Sequence, residues 1–266
     1  MKLLAFLIGC IPLWSFSMPI PAGQWYANAY KIIKTFPQDP NATKNLKDFL
    51  LLHQEQNTKY ANAGNPKSRQ PLLSWVCKFK KYAPLAKVLI SSIKGIDLDI
   101  EYRRYIPLAI AVKRRNLEMV DILLETQSNK ANINLMNKFQ QTPIFYACVG
   151  KYDGELLQKL INSGADVSVQ DVKGNTPLHL IVKSHFPAEA VKILAKQNQS
   201  LINIQNKDGN TPLHLAIDIQ MVSFLKLFFT KEIDYNIKNK YYVRAIENFL
   251  REEFELSHRR YFLSGH

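Results

Sequence analysis

Two histidines, His179 and His214, occupy the same place in two nearly identical strings of this sequence. An imidazole can bind a metal or act as a general base near neutral pH. A metal site needs further Cys, Asp, Glu or His side chains at ligand spacing, and none lies beside either histidine. The two histidines are therefore not predicted to be ligands or bases.

A second arrangement that could do chemistry pairs Cys148, as a nucleophile, with His179 as its base. Both residues have a place in the repeated sequence described below, so this pairing is not favoured. The chain contains no G-x-S-x-G, H-E-x-x-H, P-loop or C-x-x-C pattern. The sequence predicts no catalytic residue, no metal site and no cofactor, and a protein that is not an enzyme.

The two histidine strings are copies of one heptapeptide. Residues 174–180 and 209–215 both read Gly-Asn-Thr-Pro-Leu-His-Leu, at an offset of 35 residues. The glycine suits a tight turn, the threonine can cap a helix, and the proline suits the first helical position. Such a repeat is typical of a chain built from similar helical units.

Weaker copies continue the pattern towards the N-terminus, with prolines at Pro71, Pro107 and Pro143. The strings resemble the Thr-Pro-Leu-His-x-Ala fingerprint of the ankyrin repeat. The resemblance implies an all-α solenoid of stacked helix pairs with short β-turn fingers, and a histidine that hydrogen-bonds between neighbouring loops. The residues given these structural roles are Thr142, Pro143, Thr176, Pro177, His179, Thr211, Pro212 and His214.

Each start is followed by a second apolar segment that is predicted to be helical. These segments are residues 85–93, 117–124, 156–161, 190–194 and 222–229. Residues 67–266 are therefore predicted to hold five ankyrin repeats and a partial sixth, which starts near residue 244. Weak copies at the ends are expected because a terminal repeat has one face in water.

Residues 18–66 carry no fingerprint and are predicted to form a helical cap and a linker. Apolar residues recur at helical spacing before Pro37, and again over residues 43–53. These two helices are predicted to cover the apolar end of the first repeat. Residues 54–70 are polar and are predicted to be a linker or a long loop.

Residues 1–17 have the features of a secretory signal peptide. Lys2 precedes an apolar run over residues 3–16, which is short for a membrane span of ~20 residues, and cleavage is predicted after Ser17. The alternative is a lipoprotein anchored at Cys10, because the residues around Cys10 resemble a bacterial lipobox. The Lys-, Asn- and Ile-rich composition favours an exported bacterial protein.

The two other cysteines, Cys77 and Cys148, lie two repeats apart in the predicted stack. Their Cα atoms should be well beyond the ~7 Å limit for a disulfide bond. Two thiols are therefore predicted.

The formal net charge of +13 is uneven, since residues 1–130 hold 19 Lys and Arg against 9 Asp and Glu, whereas residues 131–266 hold 16 against 13. In a stacked fold, the basic residues of the first two repeats would be neighbours: Lys78, Lys80, Lys81, Arg103, Arg104, Lys113, Arg114 and Arg115. Such a surface suits an acidic protein or a peripheral contact with an anionic membrane, and a solvated face is the alternative. Nucleic acid is not favoured because no nucleic-acid motif accompanies the charge.

In the family that the repeats resemble, finger tips and exposed positions of the first helices recognise partners. The corresponding residues here are Lys113, Arg114, Arg115, Lys138, Phe139, Gln140, Asp171, Lys173, Lys183, Lys207, Asp208 and Asp218. The sequence thus predicts a monomeric protein–protein interaction module, and resemblance extends this to an effector that binds a host protein. An envelope-associated scaffold, tethered by lipid or by its basic surface, is the alternative.

Overall fold

The structure is a computed structural model that describes residues 20–125, 131–219, 234 and 236–240. The chain divides into two compact units, Met1–Asn132 (unit 1) and Ile133–His266 (unit 2). The regular elements in the described ranges are helices, which confirms the all-α prediction, and no helix there has the length and apolar character to cross a membrane.

Several sequence predictions concern residues outside those described. They are the signal peptide with Cys10, the helix at residues 222–229 and the partial sixth repeat near residue 244.

Unit 1 begins with two amphipathic helices, α1 (Ala22–Thr35) and α2 (Ala42–Leu52). The Trp25 ring of α1 is fully buried and lies 5.7 Å from the Phe49 ring of α2, centre to centre. Helix α2 also packs against the second helix of the first repeat. The two helices therefore place their apolar faces in the interior of unit 1.

The third helix, α3 (Gln54–Ala63), shows that the predicted linker or loop over residues 54–70 is wrong for residues 54–63, whereas residues 64–70 are irregular as predicted. Its residues are mostly polar, so no apolar stripe reveals it. Its anchor is Asn57, which is 1% exposed, accepts a hydrogen bond from the Trp25 indole at 3.0 Å and donates to the Leu50 carbonyl at 2.6 Å. Buried hydrogen bonds to other helices thus hold a segment that hydrophobic periodicity misses.

Two helix pairs follow in unit 1. The first pair is α4 (Leu72–Val76) and α5 (Ala83–Ser92), with a 3-10 helix at Lys80–Tyr82 between them, and the second pair is α6 (Pro107–Lys113) and α7 (Leu117–Glu125). Helix α4 packs beside α6, and α5 packs beside α7. First helices therefore stack on first helices and second helices on second helices.

Unit 2 continues the same pattern. Its helices are α8 (Pro143–Ala147), α9 (Gly154–Asn162), α10 (Pro177–Lys183), α11 (Ala188–Gln197) and α12 (Pro212–Asp218). Helix α10 packs between α8 and α12, while α9 packs beside α11. The five predicted first helices and four of the five predicted second helices are present in the described ranges.

Two of the first helices in unit 2 begin with a capping box, a pair of reciprocal hydrogen bonds at the helix start that is called a corner below. At α10, the Thr176 hydroxyl accepts a bond from the His179 backbone N–H, and His179 Nδ1 accepts one from the Thr176 backbone N–H at 3.1 Å. Thr211 and His214 repeat this arrangement at α12. Each corner satisfies two backbone donors that a helix start would otherwise leave without partners.

Thr142 holds the corresponding position at α8, but its side chain does not form the capping hydrogen bond. Phe145 stands where the other two corners have histidine, and its ring is 1% exposed. The Thr142 hydroxyl is buried and has no hydrogen-bond partner. This corner keeps the extended backbone of a capping residue, with φ −88° and ψ 168°, but lacks the side-chain bond.

Cys77 and Cys148 are buried thiols, as the sequence predicts. Burial raises the pKa of the Cys77 thiol. Since the thiolate is the reactive form, this position disfavours nucleophilic chemistry.

Valine at Thr176 and at Thr142 should affect stability differently. Thr176→Val should lower the free energy of unfolding of unit 2 by about 1–3 kcal/mol, because it removes the acceptor of a buried N–H. Thr142→Val should change it by less than about 0.5 kcal/mol or raise it, because no hydrogen bond is lost. Urea unfolding of the full chain, followed by far-UV circular dichroism, measures both variants. Equal losses would contradict this account of the two corners.

Candidate functional site

The histidine of α10 is held in the interior by both of its ring nitrogens. His179 is 0% exposed, and because Nδ1 accepts the Thr176 N–H, the proton belongs on Nε2, which donates to the Asn210 carbonyl at 2.9 Å. Burial lowers the pKa of His179 to about 4. This imidazole has no nitrogen left for a metal or substrate, and the described ranges hold no group of three or more His, Cys, Asp and Glu suited to a metal.

The turns before the first helices of unit 2 form fingers that are joined by backbone hydrogen bonds. Each turn closes with a bond of 2.7–2.8 Å from its fourth N–H to its first carbonyl. The turns are residues 137–140, 171–174 and 206–209. Between fingers, the Val172 N–H donates to the Phe139 carbonyl at 3.0 Å, and the Lys207 N–H to the Lys173 carbonyl at 2.9 Å.

Two glutamines that the sequence-based candidates omit strengthen this ladder. The Gln170 amide donates to the carbonyls of Gly174, at 2.7 Å, and Gln205, at 2.9 Å. The Gln205 amide does the same to the carbonyls of Gly209, at 2.7 Å, and Lys238, at 2.9 Å. Each glutamine stands four residues before the glycine of a heptapeptide, and this repeated spacing in the sequence indicates that both glutamines have the same structural role.

The predicted tip residues divide into structural and exposed ones. Asp171 is 6% exposed, and its carboxylate accepts the backbone N–H groups of Lys173 and Asn175 at 2.9 Å each, so it holds the turn. Asp208 is exposed and is ion-paired with Lys240. Phe139 is half-buried. The exposed basic or amide side chains at the tips are Lys138, Gln140, Lys173 and Lys207.

The predicted first-helix positions share one register. Lys113, Lys183 and Asp218 are the last residues of α6, α10 and α12, and all three are exposed. Arg114, exposed, and Arg115, half-buried, follow Lys113. Lys113, Arg114 and Arg115 belong to unit 1, whereas the other nine candidates belong to unit 2.

Three basic residues of unit 1, Lys78, Arg103 and Arg114, come close together and are named here the cation cluster. Burial, and then the like charges of Arg103 and Arg114, lower the pKa of Lys78. The Lys78 ammonium lies 5.8 Å, and the Arg103 guanidinium 5.3 Å, from the centre of the Tyr102 ring. Within the described ranges, none of the three is ion-paired. The cluster is therefore a concentration of positive charge that no ion pair neutralises within the described ranges.

The finger that carries this charge has an unusual backbone. The backbone groups of Tyr102 and Tyr105 bond to each other at 2.9 and 3.1 Å, and the residues between them are Arg103 (φ 50°) and Arg104 (φ 76°). Two consecutive left-handed residues at such a turn favour Asn and Gly. The turn instead exposes two arginine side chains.

Four aromatic rings from α1 and the first repeat pack against one another, and one of them, Phe79, directly follows Lys78 of the cation cluster. The four are Tyr30, Trp75, Phe79 and Tyr82. This aromatic row has ring centres 4.5 Å apart for Tyr30 and Trp75, 5.7 Å for Trp75 and Phe79, and 5.4 Å for Phe79 and Tyr82. Phe79 is 43% exposed. Trp75, Phe79 and Tyr82 come from one stretch of sequence at spacings of four and three residues, and the tertiary structure adds Tyr30 of α1.

Comparison with known families supports the repeat assignment. The family model described as ankyrin repeats (3 copies) matches residues 73–154 and again residues 144–239. The two matches together cover more than half of the chain.

Similar proteins include an ankyrin repeat protein of Acanthamoeba polyphaga mimivirus, 42% identical over 71 residues, which are 27% of this chain and 17% of the relative. An ankyrin repeat protein of Rickettsia bellii is 38% identical over 76 residues, 27% of this chain and 45% of the relative. Human NF-kappa-B inhibitor alpha is 33% identical over 76 residues, 29% of this chain and 23% of the relative. The chain spans less than half the length of each of these relatives.

The lowered pKa of His179 should make unit 2 less stable in acid. The unfolded imidazole takes up a proton near pH 6.5, but the folded one does so near pH 4, so stability falls as the pH decreases between these values. The expected loss from this group is about 3 kcal/mol. Urea unfolding at pH 7 and pH 4 should show a smaller loss for His179→Gln than for the wild type.

The control for this comparison is His185→Asn, because His185 is exposed and has a φ of 54°, which asparagine tolerates. It should keep the wild-type pH dependence. The same pH dependence in all three proteins would show that His179 is not the group responsible.

Alanine at Gly174 should disrupt the finger ladder more than alanine at Gly164. Both glycines have positive φ, 74° and 91°, but a Cβ on Gly174 would lie 2.7 Å from the Lys207 backbone nitrogen, whereas one on Gly164 meets nothing within 4 Å. We expect Gly164→Ala to cost about 1–2 kcal/mol from backbone strain alone. Gly174→Ala should cost about 1–3 kcal/mol more. Equal losses in urea unfolding would argue against close finger packing.

Proposed function

The chain belongs to the ankyrin repeat family, and we propose that it acts as a protein–protein interaction module without a catalytic site of its own. The observation that carries the proposal is the contrast between buried side chains that hold the fold and exposed side chains at repeated positions. The residues whose pattern first suggested chemistry, His179, His214 and Cys148, are buried within the fold. The side chains at repeated positions on the fingers and helix ends, such as Lys173 and Lys207, are exposed.

Such a division suits recognition, because a surface side chain can change without disturbing the hydrogen bonds of the ladder. NF-kappa-B inhibitor alpha, which this chain resembles over one segment, is by its name an inhibitor of NF-kappa-B. The activity that we propose for this chain is the binding of another protein.

We further propose that the chain is exported by its N-terminal segment and acts on a host protein. Lys2 and the apolar run over residues 3–16 support export. Mass spectrometry of the exported protein should find a new N-terminus close to Met18. Metabolic labelling with a fatty acid at Cys10 would instead support the envelope-tethered alternative.

Partner capture by the full chain tests the proposed function. Two variants reverse two charges each, Lys113→Glu with Arg114→Glu in unit 1, and Lys173→Glu with Lys207→Glu in unit 2. We expect at least one protein from host or bacterial lysates to bind the wild type and to be lost from one variant but not from the other, because each variant alters one exposed surface. Quantitative mass spectrometry of the captured proteins, at low and moderate salt, measures this.

The two variants act as controls for each other, since both change the net charge by the same amount. Capture of no protein, or identical capture by all three chains, would count against an interaction module that uses these surfaces.

A further inference from the structure

We propose that the cation cluster and the aromatic row form one binding surface on unit 1 for an acidic protein segment that also carries an aromatic or aliphatic side chain. This inference rests on the proposed function and specifies the chemistry of the partner. It assigns the positive charge to Lys78, Arg103 and Arg114, and the apolar contact to Phe79 and Trp75.

The first support is the charge itself. Lys78, Arg103 and Arg114 converge from the turn after α4, from the Tyr102–Tyr105 finger and from the end of α6, and within the described ranges they have no ion-pair partner. Like charges brought this close repel one another in the absence of an anion. Carboxylates of a partner would remove the repulsion and supply charge-assisted hydrogen bonds.

The second support is the backbone that presents Arg103. Its φ of 50°, followed by 76° at Arg104, is a conformation that Asn and Gly adopt with little strain and arginine does not. The backbone conformation alone therefore gives arginine no advantage over Asn or Gly at this turn. The charge of the arginines, held beside Tyr102 at the finger tip, is the property that a partner could use.

The third support is the contact between charge and rings. Lys78 immediately precedes Phe79, and its ammonium lies 5.8 Å from the Tyr102 ring. Within the aromatic row, the Lys34 and Lys81 ammonium groups lie 5.0 Å from the Tyr30 and Tyr82 ring centres, respectively. Cations thus lie at two rings of the row and next to a third in sequence. Acidic residues that flank an apolar side chain of the partner would therefore have a cation within reach when that side chain contacts the row.

Burial in the row favours a peptide over a membrane. Phe79 is 43% exposed, but Tyr82 is 4% exposed, and Trp75 and Tyr30 are half-buried. A surface that inserts into a bilayer presents several protruding apolar side chains. A surface with one accessible ring among flush neighbours is suited to receiving one or two side chains from an extended segment. The same burial leaves few open ring faces on which successive bases could stack.

Fluorescence anisotropy of the full chain with a defined probe tests this proposal. The probe is a labelled 14-residue peptide of Asp and Glu with one Phe and one Leu at its centre, and a second peptide has Ser at those two positions. We expect the first peptide to bind about fivefold more tightly than the second, because the aromatic row contacts its apolar side chains. Binding should weaken as the ionic strength rises, because exposed charges are screened.

Matched variants separate the two parts of the surface. Lys78→Gln with Arg114→Gln should weaken binding of the first peptide about tenfold, whereas Lys173→Gln with Lys207→Gln, an equal change of charge in unit 2, should change it less than about twofold. Phe79→Ser should weaken binding severalfold. Leu52→Ser should not, although Leu52 is 45% exposed and therefore similar to Phe79 in exposure. Circular dichroism confirms that each variant keeps its helices.

The proposal is overturned if the first peptide does not bind, if both charge variants weaken binding equally, or if the Ser peptide binds as tightly. It is also overturned if phosphatidylserine vesicles or a single-stranded oligonucleotide bind in a Lys78- and Arg114-dependent way and the peptide does not. Partner capture that depends on Lys173 and Lys207 alone would leave the proposed function standing while this inference fails.

Discussion

The hydrogen-bonded position of His179 is the interaction on which the order of unit 2 depends. Its Nδ1 accepts the Thr176 N–H and completes the cap of its own helix, and its Nε2–H donates to the Asn210 carbonyl of the next repeat. A repeat of this size cannot bury a core alone and is stabilised mainly by its neighbours. A neutral imidazole provides one acceptor and one donor on opposite sides of a rigid ring, so a single buried side chain joins local helix capping to repeat stacking.

Because backbone and buried groups hold the repeats together, the exposed side chains are left to contact partners. The finger ladder satisfies its backbone internally, through bonds such as that from the Lys207 N–H to the Lys173 carbonyl, while the side chains of these same residues point to solvent. A change at such a side chain alters what the protein can contact and leaves the ladder intact. Asp171 shows the limit of that freedom, because its carboxylate is part of the turn.

Unit 1 combines this architecture with a local electrostatic cost. Lys78 is partly buried and lies near other positive charges, and both conditions disfavour its charged ammonium form. The neighbouring finger has two arginines in the left-handed backbone conformation. Buried contacts elsewhere in unit 1, such as that of Trp25 with Phe49, favour the folded state against this cost. Sites at which a protein departs from its own local preferences are where recognition is most readily found.

The sequence by itself determined the repeat and its helix starts, because the Thr-Pro-Leu-His strings encode a cap, a first helical residue and an apolar face within a few positions. It could not reveal α3, whose anchor Asn57 bonds to Trp25, a residue 32 positions away. The burial of Asp171, the missing hydrogen bond at Thr142 and the addition of Tyr30 to the aromatic row were likewise decided by tertiary structure. Local patterns report what a segment prefers, whereas burial, charge proximity and hydrogen-bond partners depend on segments that meet only after folding.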